Sequence, residues 1–233
     1  SAPGGSSEWL SRLARRGPVW REVVLEARLL LRNRQTRWTL FTVLFFAITV
    51  SGFSFIPLEM ADLRELSGFR LLNLTLFPGL FATGVLVIYH GQNLFSYEGP
   101  CIEASMARPV SARHRVEGKL LFLEAGVLFS FLFPLPVLLL RQSPFLIVHG
   151  AFFLYNFGVS APAVVGAATF NRKALSIEET TLMQTNASGP RTAILTPVLG
   201  LPFVFLYGFD HLLLQLGSIA LVGVLSALAY PLW

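Results

Sequence analysis

From Trp38 to Pro57 the chain runs for about 20 residues without one charged side chain, the length a helix needs to cross a bilayer's hydrocarbon core. Apolar runs of similar length recur at about 71–90, 120–140, 145–170, 192–209 and 212–232. Six such runs in 233 residues, with 54% hydrophobic and only 13% charged residues, exceed what a soluble domain of this size encloses. In lipid every backbone polar group must be satisfied within the segment, which makes each run a helix. The fold class expected is therefore all-α: a polytopic membrane protein with six transmembrane helices.

Ahead of the first run, Val19, Trp20, Val23, Val24, Ala27, Leu30 and Leu31 fall on one face of a helix, and Arg21, Glu22, Glu26, Arg28 and Arg32 occupy the rest. A basic amphipathic helix carrying a Trp lies in the membrane interface, so residues 19–36 are read as an interfacial helix; a surface helix on a soluble domain is the competing reading. Residues 1–18 read as a linker or fragment edge. The chain begins without Met, and part of a longer polypeptide is expected.

Orientation follows from the basic residues. With the N-terminus inside, 15 of the 18 Lys and Arg fall on cytoplasmic segments, leaving Arg64, Arg70 and Arg141 outside. That split predicts both ends in the cytoplasm and the loop 91–119 on the same side. It also explains the net charge of +5 without a nucleic-acid partner.

Prolines punctuate the runs. Pro78-Gly79 predicts a kink whose freed carbonyls must find donors on neighbouring helices, and Pro134, Pro136, Pro197 and Pro202 interrupt later runs. Arg141–Pro144 leaves room only for a tight antiparallel hairpin. Gly223 and Ala227, four apart, form a close-packing face.

Three polar residues fall inside runs. Glu124 is costly there unless it faces protein, water or a base; Lys119 and the elbow arginines are candidate partners, and snorkelling to the headgroups is the alternative. His149 and Asn156, seven apart, share a helical face and either line a path or bond across helices. In the loop, Cys101–Arg108 reads as a short transverse helix stopped by Pro109, with Ser111 as the N-cap of the next helix. Glu98 and Glu103 pair with Arg108 or a partner protein, or else are simply solvated. Arg113 and Arg115 stand ready for anionic headgroups. A phosphate-binding Gly-rich loop, His-Glu-x-x-His spacing and a convergent nucleophile set are all lacking, so neither catalysis, metal nor cofactor is expected. The single Cys101 excludes an internal disulfide.

Glu98, Glu103, Pro109-Val110-Ser111 and Gly118-Lys119 together resemble the loop between spans two and three of type-2 ABC exporter permeases, and the helix before span one resembles their elbow helix. Leu25–Arg34, Tyr89–Glu98 and Tyr155–Gly158 are similar to segments of an uncharacterised bacterial permease-like family, whose later half this chain resembles. The resemblance implies a bacterial inner-membrane permease subunit. It implies a path formed with a second copy or homologous half, and coupling through the 101–108 helix to a separate P-loop ATPase. Gly99-Pro100-Cys101 departs from the superfamily's usual step. A non-transporting membrane anchor with a permease-like fold is the alternative.

Overall fold

The computed structural model describes residues 6–32, 34–56, 79–91, 94–95, 110–169, 198, 200–206 and 211–229. Among these the protein is all-α. Helices α1 (Ser6–Ala14) and α2 (Pro18–Arg32) precede α3 (Arg34–Phe53), α4 (Ala82–Tyr89), α5 (Ala112–Leu132), α6 (Leu135–Leu140), α7 (Phe145–Tyr155), α8 (Ala161–Thr169) and α9 (Leu212–Ala229). Three stretches are long and apolar enough to cross a membrane: Ala112–Leu140, Phe145–Thr169 and Leu212–Ala229.

The exterior is apolar and the interior holds the polar groups. Phe41, Phe45 and Ile48 on α3 and Leu214, Leu221, Leu225 and Leu228 on α9 are exposed, while Glu26, Thr83, His90, Lys119, His149, Asn156 and Gln215 are buried. A water-soluble domain distributes these types the other way round. Of these three, the stretch 145–169 is the most buried, with 61% of its apolar window buried against 28% for each of the other two.

Two apolar cores are stacked along the bundle. One joins α2, α4, α5 and α8 through Val23, Leu30, Val85, Leu123, Val127 and Val164. The other joins α7, α9 and the end of α3 through Val50, Phe145, Val148, Phe152, Leu216 and Ile219. At the waist of the second, α9 crosses the 145–169 stretch with backbones in contact. A Cβ on Gly158 would stand 1.9 Å from Gly223 O, and one on Gly223 would stand 2.3 Å from Leu154 O. The close-packing face expected at Gly223 and Ala227 is thus formed, with Gly158 as its other half.

Breaks fall where proline puts them. α5 stops at Leu132, Phe133-Pro134 turns, and α6 resumes at Leu135. Residues 79–81, just after Pro78, are π-helical, as is Asn156–Ser160, where Pro162 has no N–H for Gly158 O. The hairpin between α6 and α7 closes through Ser143 N to Leu138 O at 3.0 Å and Gln142 N to Leu139 O at 3.0 Å. Gln142 takes the left-handed conformation, φ 49°, at the position where helices end in a paired C-cap. The Arg141 guanidinium lies 4.4 Å from the Phe55 ring centroid, tying this turn to the segment after α3.

Two expectations are corrected. Residues Ser6–Ala14, read as linker, form α1, which packs Leu10 inward. The amphipathic helix does not keep its charges on an outer face: Glu22 and Glu26 are buried and Leu31 is 52% exposed, because α2 docks on α5 through its Glu22, Val23, Glu26 and Leu30 side.

The α9 crossing predicts a sharp contrast between glycines. Gly223→Ala and Gly158→Ala should each lower the melting temperature of the detergent-solubilised protein or abolish folding. Gly217→Ala, whose Cβ would meet nothing within 4 Å, should leave it unchanged.

Candidate functional site: a carboxylate clamp and a row of carbonyl caps

Glu26 projects from α2 into the interior and divides its two oxygens. Oε1 accepts from Lys119 Nζ, and Oε2 accepts from His90 Nε2 at 3.3 Å. All three side chains are fully buried. Lys119 Nζ also donates to Leu94 O at 3.2 Å and sits 4.8 Å from the Phe95 ring centroid. The His90 ring packs on Phe122, centroids 5.5 Å apart. Desolvation pushes the Glu26 carboxyl up, but Lys119 and His90 outweigh it and hold it below the ordinary value of 4.5. The Glu26 carboxyl is therefore ionised at neutral pH.

Its placement is informative. His90 immediately precedes the loop 91–119 and Lys119 ends it, so one carboxylate pins both stems of the loop to α2. Gly118 makes the approach feasible: a Cβ there would stand 2.5 Å from Glu22 Cβ and 2.8 Å from Val19 O. Ser111 caps α5 as expected, accepting from His114 N at 3.3 Å.

A second set of polar contacts comes from the 145–169 stretch. Asn156 Nδ2 donates to Leu80 O at 3.0 Å and to Thr83 Oγ1 at 2.7 Å, while Thr83 Oγ1 donates to Gly79 O at 3.1 Å. The π turn at 79–81 thereby receives side-chain donors from Thr83 and Asn156. His149 Nε2 donates to Phe131 O, 3.2 Å away, at the α5–α6 break. Tyr155 Oη donates to Val198 O at 2.5 Å, the carbonyl four residues before Pro202, which has no N–H to give it. From α9, Gln215 Nε2 serves Leu206 O at 2.8 Å. Gly84 makes room for Asn156, and Gly79 for the Phe152 ring.

His149 and Asn156 thus bond neighbouring backbones. Glu124 is half-buried on α5 and does not hold Lys119, which turns to Glu26. Arg113 pairs with Glu117 at 2.6 Å and Arg115 is 8% exposed, so Arg115 is not presented to headgroups. Glu98, Cys101, Glu103, Arg108 and Pro109 lie outside the described residues. The sequence reading missed Glu26, His90 and Tyr155 as site residues. The available signal was that His90 and Lys119 bracket the only long central polar passage. Among the described residues no three His, Cys, Asp or Glu side chains gather to hold a metal.

These features define an all-α protein of membrane-helix character, apolar outside and cross-linked inside by buried polar contacts. The chain belongs to DUF5687, a family of unknown function whose profile matches residues 5–232. No curated protein and no solved structure matches it.

Removing one member of the clamp strands the other charge in the interior. Glu26→Gln or Lys119→Met should each destabilise the fold by about 3–5 kcal/mol, whereas the joint Glu26→Met/Lys119→Met change should cost less than either. A carboxylate held below its unfolded value stabilises at neutral pH, and that contribution is lost as pH falls below 4.5 through the folded value. Melting curves from pH 7 to pH 3 should show this acid loss in the natural protein and a flatter profile in Glu26→Gln.

Proposed function

We propose that this chain is the permease subunit of a type-2 ABC exporter in a bacterial inner membrane. It would have six spans and both ends in the cytoplasm, and it would enclose a path with a second copy or homologous half. ATP hydrolysis belongs to a separate P-loop ATPase docking on the loop 91–119, where Glu98, Cys101, Glu103, Arg108 and Pro109 form the coupling surface.

The observation that supports this reading is the Glu26 clamp. A force applied to the loop reaches α4 through His90, α5 through Lys119 and α2 through Glu26 together, since separating a buried ion pair is expensive. Beyond the clamp, the π turn at 79–81 and the break at 133–134 supply places where a rigid end can pivot on the rest.

Two measurements test it. Cys101 is the only thiol, so a membrane-impermeant maleimide should label inverted vesicles and spare right-side-out ones; the opposite pattern contradicts the topology. Isolation in mild detergent should retain an ATPase whose activity falls when Glu98 and Glu103 are replaced by Ala. A stable complex without any ATPase would make the protein an anchor instead.

A further inference from the structure

The clamp has a consequence for the outer surface of the α1–α2 hairpin. By sequence the polar side of α2 mixes acids and bases, but docking sorts them: Glu22 and Glu26 are buried, while Arg21 and Arg28 stay exposed. On α1 the remaining acid, Glu8, is held by Arg12 at 2.9 Å. Arg15 and Arg16 at the end of α1 are exposed as well. Among the described residues no carboxylate pairs with Arg15, Arg16, Arg21 or Arg28. Trp9, 55% exposed, and Leu31, 52% exposed, accompany them.

The depth of this surface follows from its inner side. α2 packs on Gly118, two residues before the apolar run of α5 begins at Leu120, so its outer face stands level with the start of the hydrocarbon. Arginines at that level, on a hairpin that also exposes the Trp9 indole, match a lipid headgroup layer better than a soluble polyanion. A planar guanidinium also takes a phosphodiester by paired hydrogen bonds.

We infer that the outer face of the α1–α2 hairpin, through Arg15, Arg16, Arg21 and Arg28, is a binding surface for anionic phospholipid headgroups. The inference rests on the placement of the hairpin at the membrane and is independent of transport. Each basic residue near an anionic surface contributes roughly 1 kcal/mol, about fivefold in affinity. Two arginines lost together should therefore weaken binding at least about tenfold.

The test is a thermal-shift titration of the full detergent-solubilised chain with dioctanoyl phosphatidylglycerol, dioctanoyl phosphatidylcholine or inorganic phosphate. Phosphatidylglycerol should raise the melting temperature, phosphatidylcholine and phosphate should not, and added salt should diminish the effect. Arg21→Gln/Arg28→Gln should need at least about tenfold more phosphatidylglycerol, and Arg21→Lys/Arg28→Lys should retain most of the response. If the Gln pair does not fold, Arg15→Gln/Arg16→Gln gives the same readout from α1. Equal shifts with phosphatidylcholine, an unchanged response in the Gln variants, or a full shift with phosphate alone would each overturn the inference.

Discussion

Hydrocarbon offers no hydrogen bonds, so a helix broken by proline must find its missing donor within the protein. This chain meets the need at Pro202 from the 145–169 stretch, which also donates to carbonyls at two other irregular turns. Within eight residues, His149, Tyr155 and Asn156 donate to Phe131 O, Val198 O and Leu80 O, each on a different neighbouring segment, and of these Val198 O is the carbonyl that Pro202 leaves without its helical donor. The 145–169 stretch is also the most buried of the three long apolar stretches. The close crossing with α9 at Gly158 and Gly223 then fixes its depth against the last helix.

The same rule governs the charged end of the bundle. Glu26 and Lys119 are tolerated in the interior because each completes the other, and His90 and Leu94 O complete the set. The result is mechanical as well as energetic. α2, α4 and α5 meet at one carboxylate, while the π turn before α4 and the α5–α6 break lie farther along the same stretches. Rigid ends joined through pivots are what a coupling device requires, and on the proposed function the loop 91–119 is its input.

Much of this architecture was legible in the residues. Run lengths placed the three long apolar stretches, Pro134 placed the α5–α6 break, Ser111 the start of α5, and the seven-residue spacing of His149 and Asn156 put them on one face. Which carbonyl each serves was not legible, because that depends on how separately folded segments dock. Glu26 was misassigned for a related reason. Amphipathic periodicity ranks residues by type, and a carboxylate goes to the polar side unless its partner is known. Here the partner is 93 residues away. α1 was missed because its Gly- and Ser-rich start masks a short helix that packs only Leu10 inward. Tyr155 was missed because a hydroxyl on an apolar ring gives no sign that Pro202 has left a carbonyl waiting.

The most direct test of the capping account is a double-mutant cycle between Tyr155 and Pro202, read as unfolding free energy in detergent. Tyr155→Phe removes the donor to Val198 O, and Pro202→Ala restores a backbone N–H that can reach the same carbonyl. The account predicts that Tyr155→Phe is costly in the natural background and much less so with Pro202→Ala, with a coupling energy of about 0.5–1.5 kcal/mol. Strictly additive effects would contradict it.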